Sequence, residues 1–266
     1  MIYTAGIDIG STYTKALILN SDDQTMGRAL IKTGFKLTEA ARKALNIALQ
    51  DADLAENDIA YITATGFGRH QVTFCDIAVT DFTASARGSH LLFPKTRTVL
   101  EIGGQTMKAS RLDDRIRVKS FRLNDKCAAG TGAFLEKTAR YMGYTTEEIG
   151  PLVAVSKEPV PISGVCAVFA ESEVINHLSH GSAPADIMHG AIISLVERSV
   201  QLMKRVNMEP EFTLIGGILR FEIMSRVIRE QLNTAVNVPA QDMVQFVPAL
   251  GAAVLGHYRV AKLGQS

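Results

Sequence analysis

Apolar and polar positions alternate along residues 2–20, and a glycine-rich interruption divides this stretch. A period of two is typical of a half-buried strand, so the stretch predicts a β-hairpin whose second strand covers residues 13–19. Residues 37–54 instead space their apolar side chains as one face of a helix, and residues 59–64 are predicted to form a strand. The chain therefore opens with the elements of an α/β fold.

The same order of elements recurs further along the chain. Residues 98–102 are an apolar run, residues 108–112 and 116–123 predict two further strands, and residues 131–142 predict a helix. Additional helices and a strand are predicted at residues 168–178, 187–206 and 212–215. The repetition predicts two related α/β halves.

Pro94 ends the helical pattern of residues 83–92 and separates the two repeats. We therefore predict one nucleotide-binding half at residues 1–94 and a second half at residues 95–246, which carries two cysteines of interest. A small-residue helix at residues 247–266 is expected to return to the first half.

Composition and charge narrow the possible partners. Of the 266 residues, 47% are hydrophobic and 21% charged, and the formal net charge is +1. So small a charge offers no general attraction for nucleic acid or an anionic membrane. No apolar run reaches the roughly 20 residues that span a bilayer, and the first residues lack a charged leader and an apolar core. We expect a cytoplasmic protein with no nucleic-acid or membrane partner.

Two apolar runs each carry one acidic residue and end in glycine. The first contains Asp8 and ends at Gly10, and the second contains Glu101 and ends at Gly103. A buried carboxylate needs a partner, which here suggests a bound cation or a water network. Glycine lets backbone N–H groups approach a phosphate. The repetition predicts a nucleotide site; glycines that only turn the chain and acids exposed at strand ends are the alternative.

Roles follow from this prediction. Asp8 would position Mg²⁺ through water, Gln105 would orient an attacking water, and Glu101 completes the predicted catalytic set. The predicted nucleotide-binding residues are Gly10, Ser11, Thr12, Thr14, Lys15, Gly103, Gly104, Thr106, Gly216 and Gly217. The last two glycines follow a third strand and would leave room for the nucleoside.

Cys127 and Cys166 each lie in a small-residue segment just before a predicted helix. A helix start stabilises an anion and so favours the thiolate. A [4Fe–4S] cluster needs four such ligands, so two subunits would each supply both cysteines across a symmetry axis. Two alternatives remain open. The cysteines could be small buried hydrophobes, or they could bind zinc with His177 and His180, although no pair has a familiar zinc spacing.

These segments resemble the ATPase family that includes 2-hydroxyacyl-CoA dehydratase activators and the ATP-hydrolysing subunits of benzoyl-CoA reductases. The resemblance covers nearly the whole chain and rests on GIDIGST at residues 6–12, TGFGR at 65–69, IGGQ at 102–105, NDKCAAGTG at 124–132 and CAVFAESE at 166–173. It implies the two-domain, ribonuclease H-like fold of acetate and sugar kinases, Hsp70 and actin, with a duplicated sheet. It also implies one [4Fe–4S] cluster per two subunits.

The activity implied by the resemblance is ATP-driven electron transfer. The electron would pass to an iron–sulfur enzyme acting on an acyl-CoA, and ferredoxin would resupply it. The second subunit would be another copy or a paralogue. TGFKL at residues 33–37, VCA at 165–167 and GILRF at 217–221 favour a benzoyl-CoA reductase-type partner, with a 2-hydroxyacyl-CoA dehydratase as the alternative.

Three positions depart from the family pattern. Glu101 stands where aspartate is common, Thr106 where an acid often follows the glutamine, and residues 84–86 where activators usually have a cysteine and a histidine. Two other function classes therefore stay open. A small-metabolite kinase of the same fold would use an aspartate base, for which Asp125 is the candidate, and would not need Cys127. A regulator that only senses nucleotide would not hydrolyse it.

Overall fold

The structure, a computed structural model, describes residues 2–125, 131–163, 167–240 and 242–264. The chain divides into two units. The first comprises Met1–Thr96, Leu112–Lys119 and Gln245–Ser266, and the second comprises Arg97–Arg111 and Ser120–Val244. The C-terminal residues therefore belong with the N-terminal elements. The nucleotide and cysteine roles assigned to the two halves stay predictions.

The described residues form ten strands and eight helices. The strands are β1 (Tyr3–Ile9), β2 (Tyr13–Asn20), β3 (Thr25–Lys32), β4 (Ile59–Gly66), β5 (Ile77–Ala78), β6 (Thr98–Ile102), β7 (Met107–Leu112), β8 (Val118–Asn124), β9 (Phe212–Ile215) and β10 (Val236–Asn237). The helices are α1 (Leu37–Ala52), α2 (Asp81–Leu92), α3 (Gly132–Tyr141), α4 (Ile149–Ala154), α5 (Ala167–Ser179), α6 (Pro184–Lys204), α7 (Glu222–Leu232) and α8 (Met243–Leu263).

The strands form two five-stranded sheets with one topology. The first sheet has the order β3-β2-β1-β4-β5, and the second has the equivalent order β8-β7-β6-β9-β10. The strand β1 is antiparallel to β2 and parallel to β4, just as β6 is antiparallel to β7 and parallel to β9. The duplicated α/β architecture predicted from the sequence is confirmed.

The helix α1 covers the first sheet with a continuous apolar stripe. Ala41, Leu45 and Ala48 of this helix are completely buried and belong to the same core as Ile7 of β1 and Ile18 of β2. Full burial of one such leucine contributes about 2 kcal/mol. This packing fixes β1, and therefore the turn that follows it.

The helix α8 packs against α2 and β1 at backbone distance because glycines lie at the contacts. A Cβ atom at Gly251 of α8 would lie 1.8 Å from the carbonyl oxygen of Ala84 in α2. One at Gly6 of β1 would lie 1.9 Å from the carbonyl oxygen of Ala249 in α8. The strand that carries Asp8 is thus fixed by the C-terminal helix as well.

The helix α6 is the central helix of the second unit. Pro184 begins it, as suits a residue without an N–H in the first turn. Ile187, Ala191 and Leu195 are completely buried in the core of this unit, and α6 packs against α3, α4 and α7. Of the helices in the described ranges, none combines the length and the hydropathy that a bilayer crossing requires.

Most of the predicted elements are found, and two of them, β6 and β9, have the predicted bounds. Three elements were not predicted: β3, the short α4, and α7, in which polar and charged residues outnumber apolar ones. The helix α8 begins at Met243, before Pro248, although proline favours a helix start. Packing of this helix against the first unit overrides that local preference.

Candidate nucleotide site and cysteine segments

Asp8 and Lys15 form an ion pair at the end of β1. They are opposite each other across β1 and β2, and the Lys15 Nζ lies 3.0 Å from the Asp8 Oδ2. The Lys15 side chain is 15% exposed and that of Asp8 is 8% exposed. The ammonium group offsets the cost of burying the carboxylate. The chain itself therefore supplies a partner for the acid in this apolar strand.

The turn after β1 is held by its own hydrogen bonds. The Gly10 N–H donates to the Tyr13 carbonyl oxygen at 3.1 Å, and the Thr33 hydroxyl donates to the Gly10 carbonyl oxygen at 2.8 Å. The hydroxyl of Thr14 is completely buried and shares a hydrogen bond of 2.9 Å with that of Thr33. Ser11 is exposed. Thr14 thus supports the turn from within, and its predicted role as a phosphate ligand stays a prediction.

The TGFGR segment packs beside this turn. The Gly68 N–H donates to the Ile9 carbonyl oxygen at 3.0 Å, and the Arg69 guanidinium donates to the Gly66 carbonyl oxygen at 3.0 Å. Gly66 has a φ angle of 88°, which favours glycine. The segment that carried part of the family resemblance therefore forms one wall of the Asp8 region.

Glu101 and Lys108 repeat the ion pair in the second unit. They are opposite each other across β6 and β7, and the Lys108 Nζ lies 2.9 Å from the Glu101 Oε1. The side chains are 13% and 15% exposed for lysine and glutamate, respectively. The Gly103 N–H donates to the Thr106 carbonyl oxygen at 2.8 Å, which closes the turn. This hairpin has the same arrangement as the first.

The helix α3 begins against this second turn. The Gly132 N–H donates to the Gly103 carbonyl oxygen at 2.9 Å, and the Ala133 N–H donates to the Gly104 carbonyl oxygen at 2.8 Å. Helix starts leave N–H groups without intrahelical partners, and two of them are satisfied here by the turn. Gln105 is exposed at the tip of the turn. The helix start is therefore fixed to the second turn.

Gly216 ends the third strand and packs against the second. Its φ angle is 104°, and a Cβ atom would lie 2.2 Å from the Ile102 carbonyl oxygen. Its N–H donates to the Val244 carbonyl oxygen at 2.7 Å. A short 3₁₀ turn, Gly217–Arg220, follows. Close backbone packing therefore requires glycine at position 216, and the predicted contact of Gly216 and Gly217 with the nucleoside stays a prediction.

A cavity of about 310 Å³ lies beside this 3₁₀ turn in the second unit. It is lined by Leu219, Arg220, Glu222, Ser225, Val238, Pro239 and Asp242. The lining combines a planar guanidinium, two carboxyl groups and a hydroxyl with three apolar side chains. Such a mixture suits an aromatic ring attached to a group that carries hydroxyls.

Cys127 and Cys166 lie outside the described residues. The helices that follow them, α3 and α5, are described. In the ranges that the structure covers, no three His, Cys, Asp or Glu side chains are close enough to hold a metal ion. Ring nitrogens of His177 and His180 lie 3.3 and 2.8 Å from backbone carbonyl oxygens.

An ion pair joins α3 to α5. The Lys137 Nζ lies 2.7 Å from the Glu171 Oε2, and the Tyr141 hydroxyl lies 3.4 Å from the same oxygen. The hydrogen bond to Glu171 raises the pKa of Lys137. Lys137 and Glu171 each lie in the second turn of their helix, so both helix starts are within about 10 Å of the pair along the helix axes.

Ser163, the last described residue before Cys166, is held on two sides. Its N–H donates to the Glu173 carboxylate of α5. Its carbonyl oxygen accepts from the Ser194 hydroxyl at 3.3 Å and from the Arg198 guanidinium at 3.5 Å, both on α6. The backbone that leads to the second cysteine segment is therefore anchored to two helices.

The sequence reasoning missed three groups at these places. Lys108 was not singled out, although it follows Glu101 at the same distance of seven residues that separates Lys15 from Asp8. Thr33 was missed because no pattern links it to Gly10. The pairing of α3 with α5 had no signal, since helix contacts depend on the folded chain.

Comparison with known proteins gives these geometries a context. The sequence profile of the BadF/BadG/BcrA/BcrD ATPase family matches residues 5–256. The 2-hydroxyisocaproyl-CoA dehydratase activator of Clostridioides difficile is 37% identical over 253 residues, which cover 95% of this chain and 94% of that protein. A benzoyl-CoA reductase subunit of Thauera aromatica is 34% identical over 280 residues, which cover 100% of this chain and 98% of that protein.

Solved structures agree with this relationship. The (R)-2-hydroxyglutaryl-CoA dehydratase component from Acidaminococcus fermentans matches with a TM-score of 0.93 at 32% identity, covering 98% of this chain and 100% of that chain. A ROK family glucokinase from Streptomyces griseus matches with a TM-score of 0.60 at 14% identity, covering 96% and 99%, and so shares the fold alone. The predicted fold type and the family resemblance are confirmed. The chain is an ATPase that belongs to the BadF/BadG/BcrA/BcrD ATPase family.

Proposed function

We propose that this ATPase uses ATP hydrolysis to deliver single electrons to an iron–sulfur enzyme that acts on an acyl-CoA. Cys127 and Cys166 of two subunits would together hold one [4Fe–4S] cluster, and the second subunit is another copy or a paralogue. The proposed location is the cytoplasm, where ferredoxin returns the electron.

ATP and Mg²⁺ are proposed to bind at the two acid-and-glycine turns. The carboxylates of Asp8 and Glu101 suit a hydrated Mg²⁺, which prefers oxygen ligands and keeps several waters. The exposed Ser11 hydroxyl and the exposed backbone of Gly104 are available to phosphate oxygens. Gln105, exposed at the tip of the second turn, is proposed to orient the attacking water.

The adenosine is proposed to occupy the cavity beside Gly217–Arg220. The Arg220 guanidinium can stack on the purine, because a planar delocalised cation packs well on an aromatic face. The carboxylates of Glu222 and Asp242 can accept hydrogen bonds from the ribose hydroxyls. The volume of about 310 Å³ is at the lower end of small-molecule sites, which suits a nucleoside.

The contact between the second turn and α3 carries the coupling part of the proposal. Gly132 and Ala133 donate to the carbonyl oxygens of Gly103 and Gly104, so a change of the turn shifts the start of α3. The segment with Cys127 directly precedes this helix. The Lys137–Glu171 pair then links the movement to α5, which follows Cys166. Binding and hydrolysis of ATP would therefore act on both cysteine segments.

The donor chemistry fits an iron–sulfur cluster. Such a cluster supplies one-electron transfer at low potential and is held by cysteine thiolates. Both cysteines directly or closely precede a helix, α3 or α5, whose N–H groups favour a thiolate over a thiol. Each chain offers two such cysteines, so the ligand set is complete only in a dimer. The Ser163 anchor keeps the approach to Cys166 in place.

We propose a benzoyl-CoA reductase-type partner first, on the residues at 33–37, 165–167 and 217–221 that resemble such a subunit. The second candidate is a 2-hydroxyacyl-CoA dehydratase. It is favoured by the 37% identity to an activator of such an enzyme and by the TM-score of 0.93 to a component of another. Both partners would receive the electron at an iron–sulfur centre of their own.

Anaerobic purification followed by iron and sulfide analysis tests the proposal. We expect about two irons and two sulfides per chain, a brown colour and a dimer. Cys127→Ser and Cys166→Ser should each remove the iron while the melting temperature stays nearly unchanged. Cys75→Ser is the matched control, because burial raises the pKa of that thiol and no ligand role is proposed for it. Protein that lacks iron and cannot be reconstituted would contradict the proposal.

The partner is identified by transfer assays. The reduced protein and ATP are mixed with a purified benzoyl-CoA reductase or 2-hydroxyacyl-CoA dehydratase component, and reduction of its iron–sulfur centre is followed by spectroscopy. Transfer to only one of them decides between the two candidates. Iron-free protein that phosphorylates a sugar or vitamin would instead identify a small-metabolite kinase.

A further inference from the structure

Lys108 and Glu101 form an ion pair with the same geometry as Lys15 and Asp8. In each pair the acid and the lysine are seven residues apart along the chain and opposite each other across two antiparallel strands. The distances from Nζ to the carboxylate are 2.9 Å for Lys108 and 3.0 Å for Lys15. All four side chains are at most 15% exposed.

Each pair borders a turn that is closed in the same way. Gly10 donates its N–H to the residue three positions later, and Gly103 does the same. One constant offset along the sequence relates Asp8 to Glu101, Gly10 to Gly103 and Lys15 to Lys108. Lys108 therefore occupies in the second unit the place that Lys15 occupies in the first.

A lysine in this place has two kinds of partner. Its ammonium group is a compact charge that binds either a carboxylate or phosphate oxygens. A carboxylate, in turn, can bind a hydrated divalent cation in place of the ammonium group. Because desolvation nearly cancels the attraction within a largely buried ion pair, an exchange of partners costs little free energy.

We propose that Lys108 is a second phosphate-binding lysine of this ATPase. When Mg²⁺ and ATP bind, its ammonium group leaves Glu101 and binds the phosphate chain, while the Glu101 carboxylate accepts the hydrated cation. The inference rests on the proposed placement of ATP at the two glycine turns. It does not depend on the iron–sulfur cluster.

Calorimetric titration with Mg²⁺ and the non-hydrolysable analogue AMPPNP tests this role. Lys108→Met keeps most of the aliphatic stem and removes the charge, and we expect binding to weaken about 10- to 100-fold, as does Lys15→Met. Lys108→Arg should restore part of the affinity. Lys43→Met, at an exposed position of α1, loses the same charge and should bind like the wild type.

A second pair of variants covers the case in which Lys108→Met fails to fold because Glu101 loses its counter-charge. Glu101→Gln and the double variant Glu101→Gln/Lys108→Met are titrated with ADP in the presence of EDTA, where no divalent cation contributes. We expect Glu101→Gln to bind at least as tightly as the wild type, because Lys108 is released. The double variant should bind about 10-fold more weakly than Glu101→Gln.

The outcomes separate this inference from the proposed function. If the double variant and Glu101→Gln bind ADP equally, Lys108 only balances the charge of Glu101, and the inference is wrong. If Lys15→Met weakens binding and the double variant does not, the glycine-turn site stands without Lys108. If neither lysine matters, the phosphates bind elsewhere, and both the inference and the proposed ATP site fail. Iron content does not change in any of these cases.

Discussion

Gly66 lies so close to Asp8 that a Cβ atom added to it would approach the Asp8 Oδ1 to 2.3 Å. The two residues belong to neighbouring parallel strands, and the φ angle of 88° at Gly66 also favours glycine. Gly66 therefore leaves the space in which the Asp8 carboxylate reaches Lys15.

Gly66→Ala should damage this arrangement twice, through backbone strain and through a collision with Asp8. We expect the free energy of unfolding to fall by about 3 kcal/mol and ATP hydrolysis to slow at least about 10-fold. Gly34→Ala is the control, because its φ angle is 62° but no atom lies within 4 Å of the added Cβ. It should cost about 1 kcal/mol and leave hydrolysis unchanged. Equal effects of both substitutions on hydrolysis would show that Asp8 tolerates the contact.

Gly132→Pro should separate ATP hydrolysis from electron delivery. Proline is favoured at the first position of a helix, and the preceding Thr131 is already extended, so α3 should persist. The substitution removes only the N–H that donates to the Gly103 carbonyl oxygen. Gly132→Ala keeps this N–H and is the control. We expect the number of electrons transferred per ATP hydrolysed to fall in the proline variant alone, and an unchanged ratio would argue against this path of coupling.

Gln105→Ala should lower the rate of ATP hydrolysis without loss of nucleotide binding. If the side chain orients the attacking water, kcat falls about 100-fold while the KM for ATP changes less than about threefold. Gln201→Ala removes an exposed glutamine from α6 and serves as the control. A parallel loss in kcat and in affinity would mean that Gln105 holds the nucleotide instead.

His189 should make stability depend on pH. Burial and, less strongly, Arg226 lower its pKa from 6.5, whereas Asp186 and Glu230 act in the opposite direction. The unfolded chain therefore takes up a proton near pH 6.5 before the folded protein does, so the free energy of unfolding decreases as the pH falls below about 6.5.

Thermal unfolding between about pH 7.5 and pH 5 measures this effect. His189→Gln should flatten the decrease at low pH, even if loss of the hydrogen bond of 3.0 Å with Ser156 lowers stability at every pH. His180→Gln, at an exposed position, should retain the pH dependence of the wild type. An unchanged slope in His189→Gln would assign the dependence to other groups.

Gly251→Ala should destabilise the first unit by preventing close packing of α8 on α2. The added Cβ would lie 1.8 Å from the Ala84 carbonyl oxygen and 2.6 Å from the Gly88 nitrogen. Backbone atoms cannot rotate away as a side chain can, so we expect a loss of about 3 kcal/mol in chemical denaturation. Gly264→Ala, whose nearest contact would be 3.6 Å from the Val260 carbonyl oxygen, should change stability by less than about 0.5 kcal/mol.

The sequence by itself determined the repeated hairpins and the order of most helices and strands. These features are local: a strand alternates with a period of two, a helix has a period of 3.6, and a turn needs glycine, whatever the rest of the chain does. The same reasoning found Asp8, Glu101 and the turns that follow them, because an acid inside an apolar run is visible without a structure.

Only the tertiary structure decided which side chains meet. It paired Glu101 with Lys108, placed the start of α3 on the carbonyl oxygens of Gly103 and Gly104, and joined Lys137 to Glu171. Such contacts depend on the crossing of helices and on the register of strands, which are fixed by packing of the whole core and not by any local period. The cavity near Arg220 arises in the same way, from segments that are separate along the chain.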